Sequence, residues 1–284
     1  MIQKFSRLVM FSHTIFAMPF ALIGFALAIT TTQAQFSYML LAQVVLCMIF
    51  ARNTAMGFNR WADRDIDAKN ERTAKREIPA GSISPRTALI FVVINAALFV
   101  ATTCSINSLT AYLSPVALFV VIFYSYCKRF TAAAHLVLGL GLAIAPVGAY
   151  IAVTGEFATS VCLLSAVVLT WCSGFDIIYA LQDAQFDREE GLHSIPSKFS
   201  AKGALAISTT LHIFSAALLI LFTSYLPHSA WITAGVAIFI AILTAEHFLV
   251  TPTRQRNIGI AFGTLNGIAS LTLAAFTIIG LILS

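Results

Sequence analysis

Charge is what this 284-residue chain has least of. Only 10% of its residues are Asp, Glu, Lys or Arg, against roughly 25% in a soluble domain. With 59% hydrophobic residues and a mean hydropathy of +0.88, that scarcity excludes a water-soluble globular protein. Cysteine offers no framework. Cys47, Cys104, Cys127, Cys162 and Cys172 all lie in apolar runs and form no CxxC pair, so neither disulfides nor a zinc site are expected. Short segments of alternating hydrophobicity are missing, which excludes a transmembrane β-barrel. Lys and Arg are absent from four connections, near 31–35, 105–108, 154–157 and 227–228.

What is present is a series of apolar runs of about twenty residues, the length that crosses about 30 Å of hydrocarbon. Nine are read: 9–30, 36–58, 87–105, 109–127, 134–154, 158–180, 203–225, 229–250 and 258–283. The prediction is an all-α polytopic membrane protein, nine transmembrane helices around a central cavity, with 1–284 as one domain. The basic start and apolar run at the N-terminus resemble a signal peptide. The run is too long for one and no small-residue cleavage site precedes the next span, so it reads as a retained first helix. The seventeen Lys and Arg collect before span 1, at the end of span 2 and after it, and in connections 4–5, 6–7 and 8–9. By the positive-inside rule the N-terminus is cytoplasmic and Ser284 lies outside. The net charge of +5 is topology and calls for no nucleic-acid partner.

The stretch "NRWADRDIDAKNERTAKREIPAG", Asn59 to Gly81, crowds thirteen charged or amide side chains into this apolar chain. Ten of the twelve acids fall in two segments on the cytoplasmic side. One holds Asp63, Asp65, Asp67, Glu71 and Glu77; the other holds Asp176, Asp183, Asp187, Glu189 and Glu190. Their spacing repeats: Asn59, Asp63 and Asp67 step by four, as do Tyr179, Asp183 and Asp187, and an Ile-Pro follows each set. Such weak internal symmetry suggests two halves facing a shared cavity. Steps of four place side chains on one helix face. Arg52 and Asp176 extend the two stripes back into apolar spans, where a charge is costly and usually faces a cavity and a partner. For one segment alone a solvated helix face is the plainer reading. Two matched segments at one membrane face favour a site.

Paired carboxylates beside an amide are hard oxygen donors for Mg²⁺, which binds through one or two carboxylates plus substrate phosphates and waters. The segments also carry Arg64, Lys69, Arg72, Lys75, Arg76, Arg188 and Lys198. Metal-holding acids ringed by cations suit a diphosphate, and an opening towards lipid suits one with a long apolar tail. "YSYCKRF" ends span 4 and puts Tyr124 and Lys128 four apart on one helix face. Alone, an interfacial Tyr with a snorkelling Lys explains that pair.

Together, "NRWADRDIDAKNERTAKREIPAG", "YSYCKRFT" and "DIIYALQDAQFDREEGLHSIP" resemble the UbiA superfamily of intramembrane aromatic prenyltransferases. The likeness covers essentially the whole chain, with NxxxDxxxD, YxxxK and DxxxD in the expected order. The closer likeness is to bacterial 4-hydroxybenzoate polyprenyltransferase-like members, a subgroup often assigned to menaquinone synthesis by the futalosine route. Two acceptors follow, 4-hydroxybenzoate or a dihydroxynaphthoate, in quinone synthesis at the cell inner membrane.

The resemblance implies that Asn59, Asp63 and Asp67 hold one Mg²⁺, that Asp183 and Asp187 hold a second, and that both bridge a polyprenyl diphosphate. Tyr124 and Lys128 would contact the diphosphate, with Tyr179, Arg72 and Arg76 as helpers. Arg52 is a candidate for the acceptor's carboxylate, or else a neutralising partner for Asp63 or another internal acid. Asp176 would orient the acceptor, remove its proton or balance Lys128. His13, His135 and His212 read as packed histidines, His193 as a cap on the site, and Glu246 and His247 as interface markers. Gly139, Gly141, Pro146 and Gly148 read as sites of close packing or bending. The 2–3 and 6–7 loops should form short interfacial helices over the site. A CDP-alcohol phosphotransferase lacks support, because its longer Asp-Gly…Ala-Arg…Gly-xxx-Asp signature is absent. A secondary transporter would place its acids near the midplane, open in turn to both sides.

Overall fold

The computed structural model describes Phe5, Leu8, Val9 and residues 16–284. The helices are α1 (Met18–Thr32), α2 (Tyr38–Ala62), α3 (Arg64–Lys69), α4 (Pro85–Cys104), α5 (Ser108–Cys127) and α6 (Ala134–Thr154). There follow α7 (Thr159–Ala180), a 3₁₀ turn (Leu181–Asp183), α8 (Ala184–Glu189), α9 (Ile195–Lys198), α10 (Ala201–Thr223) and α11 (Ala230–Leu249). A π turn (Ile260–Leu265) leads into α12 (Asn266–Ile282). No strand occurs among the described residues.

Eight of these helical stretches are long and apolar enough to cross a bilayer, and α1 is a shorter apolar helix of 15 residues. Among the described residues, eight of the nine expected spans are therefore long and apolar enough to cross, and the first is represented by the shorter α1. The first was expected over 9–30, and residues 10–15, including His13, lie outside the described ones. Ile90, Phe119, Ile213, Phe214 and Phe248 point outwards. In water such a surface would aggregate; against lipid tails it costs nothing.

Polar residues punctuate the bundle where the chain must turn. Ser37, Ser84 and Ser200 each accept a hydrogen bond from the N–H three residues on, starting α2, α4 and α10. Asn107 and Thr110 cap the start of α5 reciprocally, satisfying donors the helix cannot. Gly155 ends α6 in the left-handed region at φ 71°, where a Cβ would be strained.

Within the bundle α6 packs against α1, α5 and α7; α7 packs against α10; α2 against α4; and α11 against α12. Two glycines let α6 approach its neighbours closely. A Cβ on Gly24 would sit 2.2 Å from the Pro146 carbonyl oxygen, and one on Gly139 would sit 2.3 Å from Ser173 Oγ. Backbones in lipid gain their contact by this closeness, and Gly139 has the packing role expected of it. Phe20, Trp171, Phe222 and Phe239 fill the core between α1, α7, α10 and α11.

Candidate active site

The repeated acid pattern does not lie on two unbroken helices, as steps of four suggested. Both helices break at their middle acid. Asp63 follows the last residue of α2 with φ −95° and ψ 4°, and Asp183 ends the 3₁₀ turn after α7 with φ −105° and ψ 3°. Each is the N-cap of a six-residue helix, α3 or α8, whose first turn carries the next acid, Asp67 or Asp187. The same break therefore occurs twice. It is the clearest local counterpart of the repeat in the sequence, and α3, α8 and α9 supply the short helices expected in the loops.

Cations from other elements meet these acids. Lys128 Nζ, just past α5, lies 2.8 Å from Asp63 Oδ2, which also accepts from Asn59 Nδ2 at 3.0 Å. Arg129 reaches Asp63 Oδ1 at 3.5 Å and donates to the Ala62 carbonyl. Arg76 donates to Asp67 Oδ1 at 2.7 Å, while Asp67 Oδ2 is buried with no hydrogen-bond partner among the described residues. Arg72 grips Asp183 with Nε, 2.9 Å from Oδ1, and with a second N–H on Oδ2, and it donates to the Tyr179 hydroxyl at 3.0 Å. Burial lowers the Arg72 pKa, yet bonding and charge pairing with Asp183 hold it above its ordinary value. Asn70 Nδ2 completes the set, 3.0 Å from Asp183 Oδ1.

Two further contacts tie the polar segments together. Lys69 pairs with Glu190 across 121 residues of chain. In the second segment Ser194 Oγ donates to Asp187 Oδ2 at 2.7 Å, and the His193 N–H donates to the Lys128 carbonyl at 2.6 Å. Among the described residues no three His, Cys, Asp or Glu side chains converge to hold a metal by themselves.

One turn further into the bundle from Asn59 and Lys128 begins an apolar cavity of about 360 Å³ between α2, α4, α5 and α6. Arg52 and Tyr124 are on its wall near the acids; Ile106, Ile151 and Phe157 are at its far end. Asp63 is met by Asn59, Lys128 and Arg129, while Arg52 donates to the Val9 carbonyl at 3.5 Å. Asp176 does not balance Lys128; it pairs with His135. Glu246 is no interface marker either. It is buried and accepts from Asn266 Nδ2 at 2.9 Å, while Asn266 Oδ1 accepts from the Trp171 indole. His247, read with it, joins buried His212 through a 2.9 Å ring contact.

The UbiA prenyltransferase family model matches residues 17–281. The chain belongs to the UbiA family. It is a prenyltransferase of the membrane, and the transporter and phosphotransferase readings fall away. A 4-hydroxybenzoate octaprenyltransferase of Pseudomonas fluorescens (strain Pf0-1) is 32% identical over 213 residues, 75% of this chain and 71% of that one. Its counterpart from Aliivibrio fischeri (strain MJ11) is 28% identical over 82% of this chain and 81% of its own. The UbiA homolog of Aeropyrum pernix K1 superposes with a TM-score of 0.81 at 30% identity, covering 95% of this chain and 97% of that chain. A UbiA homolog from Archaeoglobus fulgidus, bound to GPP and Mg²⁺, has the same fold at a TM-score of 0.78 and 21% identity, covering 98% of this chain and 99% of that one.

Several polar residues of this UbiA-family site escaped the sequence reading. Asn70, Arg129, Ser194 and His135 all touch its acids. Only Arg129 carried a signal, as the neighbour of Lys128 in a basic pair at a helix end.

Proposed function

We propose that this chain transfers a polyprenyl group from polyprenyl diphosphate to a ring carbon of an aromatic hydroxy acid. The acceptor class is 4-hydroxybenzoate or a dihydroxynaphthoate, the cofactor is Mg²⁺, and the product is a quinone precursor. The observation that carries this reading is the meeting of three ion pairs, Asp63–Lys128, Asp67–Arg76 and Asp183–Arg72, one turn beyond an apolar cavity. Such a mouth suits a polyanionic head on an apolar tail. The names of the relatives, and the GPP and Mg²⁺ bound to the Archaeoglobus homolog, support it. The distribution of Lys and Arg supports a site at the cytoplasmic face of the cell inner membrane.

The donors fit a divalent cation, since Asp67 Oδ2 is a buried oxygen without a hydrogen-bond partner among the described residues. Asn59, Asp63 and Asp67 would hold one Mg²⁺, and Asp183 and Asp187 a second. Mg²⁺ takes only one or two carboxylates and completes its shell with phosphates and waters. When bound, it neutralises charge on the diphosphate.

The remaining work falls to side chains. Lys128 and Tyr124 would hold the diphosphate, and Arg72 and Arg76 would turn from their acids to steady it as the C–O bond ionises. Arg52 would pair with the acceptor's carboxylate two-prongedly. Asp176 would take the proton that the ring releases. The test is incubation of purified protein with a labelled prenyl diphosphate and each acceptor, with Mg²⁺ or with EDTA. Prenylated acid should form only with Mg²⁺; full turnover in chelator would overturn the cofactor, and no product from any aromatic acid would overturn the transfer.

A further inference from the structure

We propose that His135 is a positioning residue that holds Asp176 ready to receive the acceptor's ring proton. The inference rests on the prenyl-transfer reading above. Asp176 lies within apolar α7 between Phe175 and Ile177, both buried. A carboxylate there needs a partner, and it has one: His135 Nδ1, 2.6 Å from Asp176 Oδ2. His135 stands in the first turn of α6 and is itself buried. The Gly139–Ser173 approach brings α6 and α7 close enough for this contact, with Ser173 Oγ 2.7 Å from the Leu169 carbonyl and 3.1 Å from the His135 carbonyl.

The backbone decides which nitrogen carries the proton. The Ile195 N–H points at His135 Nε2 across 3.3 Å, and an amide N–H only donates. Nε2 therefore accepts and the ring proton sits on Nδ1, facing Asp176. In this arrangement the imidazole has no free lone pair and does not act as the base. It donates to one carboxylate oxygen and stabilises its charge. The other oxygen, Oδ1, takes no hydrogen bond from any described residue, and the Asp176 side chain is 21% exposed. Arg52 and Tyr124 stand on the wall of the cavity. On this proposal an acceptor held by Arg52 extends its reacting carbon towards Oδ1.

The proton's path balances as follows. The prenyl C–O bond breaks and its electron pair leaves with the diphosphate. A π pair of the acceptor ring forms the new C–C bond. The C–H pair at that carbon then restores the aromatic ring, and its proton passes to Asp176 Oδ1. His135 keeps its own proton throughout. Ile195 adjoins Ser194, which binds Asp187, and His193, which binds the Lys128 carbonyl. The tautomer that serves Asp176 thus depends on the same segment that borders the diphosphate residues.

Two amide variants separate the halves of this contact. In His135→Asn the amide takes the place of Nδ1 and keeps the donor to Asp176; in His135→Gln it takes the place of Nε2 and keeps only the Ile195 contact. H135Q should lower kcat about 10- to 100-fold, at most the lower end of what a general base contributes because Asp176 itself remains, with little change in either KM. H135N should recover most of that loss. With an acceptor deuterated at the reacting carbon, H135Q should show a primary isotope effect that wild type lacks. Asp176→Asn keeps an acceptor for His135 but removes the base, and H135Q added to it should cost little more. Equal loss in H135N and H135Q without an isotope effect, or multiplicative loss in the double variant, would overturn the role. An inactive wild type with every aromatic acid would overturn the transfer reading itself and His135's role with it.

Discussion

Removing Arg72 should make the protein less demanding of Mg²⁺ while making it slower. In the structure the guanidinium occupies both oxygens of Asp183 and also donates to Tyr179, so a cation that binds Asp183 must first displace it. The pair is partly open to solvent, with side-chain exposures of 33% and 19%. Its strength should therefore fall between an exposed ion pair, about 0.2–1 kcal/mol, and a buried charged hydrogen bond, about 1.5–3 kcal/mol. A middle value of about 1–2 kcal/mol corresponds to a factor of about 5–30. Initial rates measured against Mg²⁺ concentration, at saturating substrates, should show the apparent Mg²⁺ constant of Arg72→Ala lower by that factor. The same variant should lose kcat, because nothing replaces Arg72 on the departing diphosphate. The raised pKa of Arg72 keeps the competitor charged below and through neutral pH, so the effect should not vary there. An apparent constant that stayed put or rose would refute the competition.

Asp63→Ala and Asp183→Ala should each abolish transfer with membrane yield near normal, and the double variant should be hardly worse than either, because both acids serve one transition state; independent, multiplicative losses would count against a shared site. Arg52→Ala should raise KM for the aromatic acid by about one to two decades, the worth of a charged hydrogen bond, and leave the prenyl diphosphate KM nearly alone. A loss of kcat and Mg²⁺ response with every acceptor would instead move Arg52 to the metal end. Gly24→Ala should destabilise by about 1–3 kcal/mol through overpacking, since its Cβ would sit 2.2 Å from a backbone oxygen of α6. Gly259→Ala meets open space and should leave the melting temperature in detergent unchanged.

Much of this architecture was legible because lipid imposes long, apolar, internally bonded helices, and their lengths can be counted. The expected span 134–154 coincides with Ala134–Thr154, and 158–180 nearly with Thr159–Ala180. The acids of the site were legible because charge in such a chain must have a reason. The helix breaks were not. Spacing by four runs straight through Asp63 and Asp183, and a break held by long-range ion pairs leaves the periodicity intact. His135 looked like any histidine in an apolar stretch, for its partners lie 41 and 60 residues away. Glu246 was misread because it stands near the end of its span. Sequence does not reveal that Asn266, twenty residues on, folds back to bind it.

The double break also has a consequence for the order of events. Both α2 and α7 end at the site and α3 and α8 begin there, so at Asp63 and at Asp183 the negative pole of one set of peptide dipoles meets the positive pole of the next. The Lys and Arg side chains of the site are already paired with Asp63, Asp67 and Asp183. A diphosphate arriving alone would find those cations engaged. On the Mg²⁺-dependent reading proposed above, cations that bind the acids before or with the diphosphate would free those side chains to meet it. Turnover would on that account be an exchange of ions as much as a transfer of carbon.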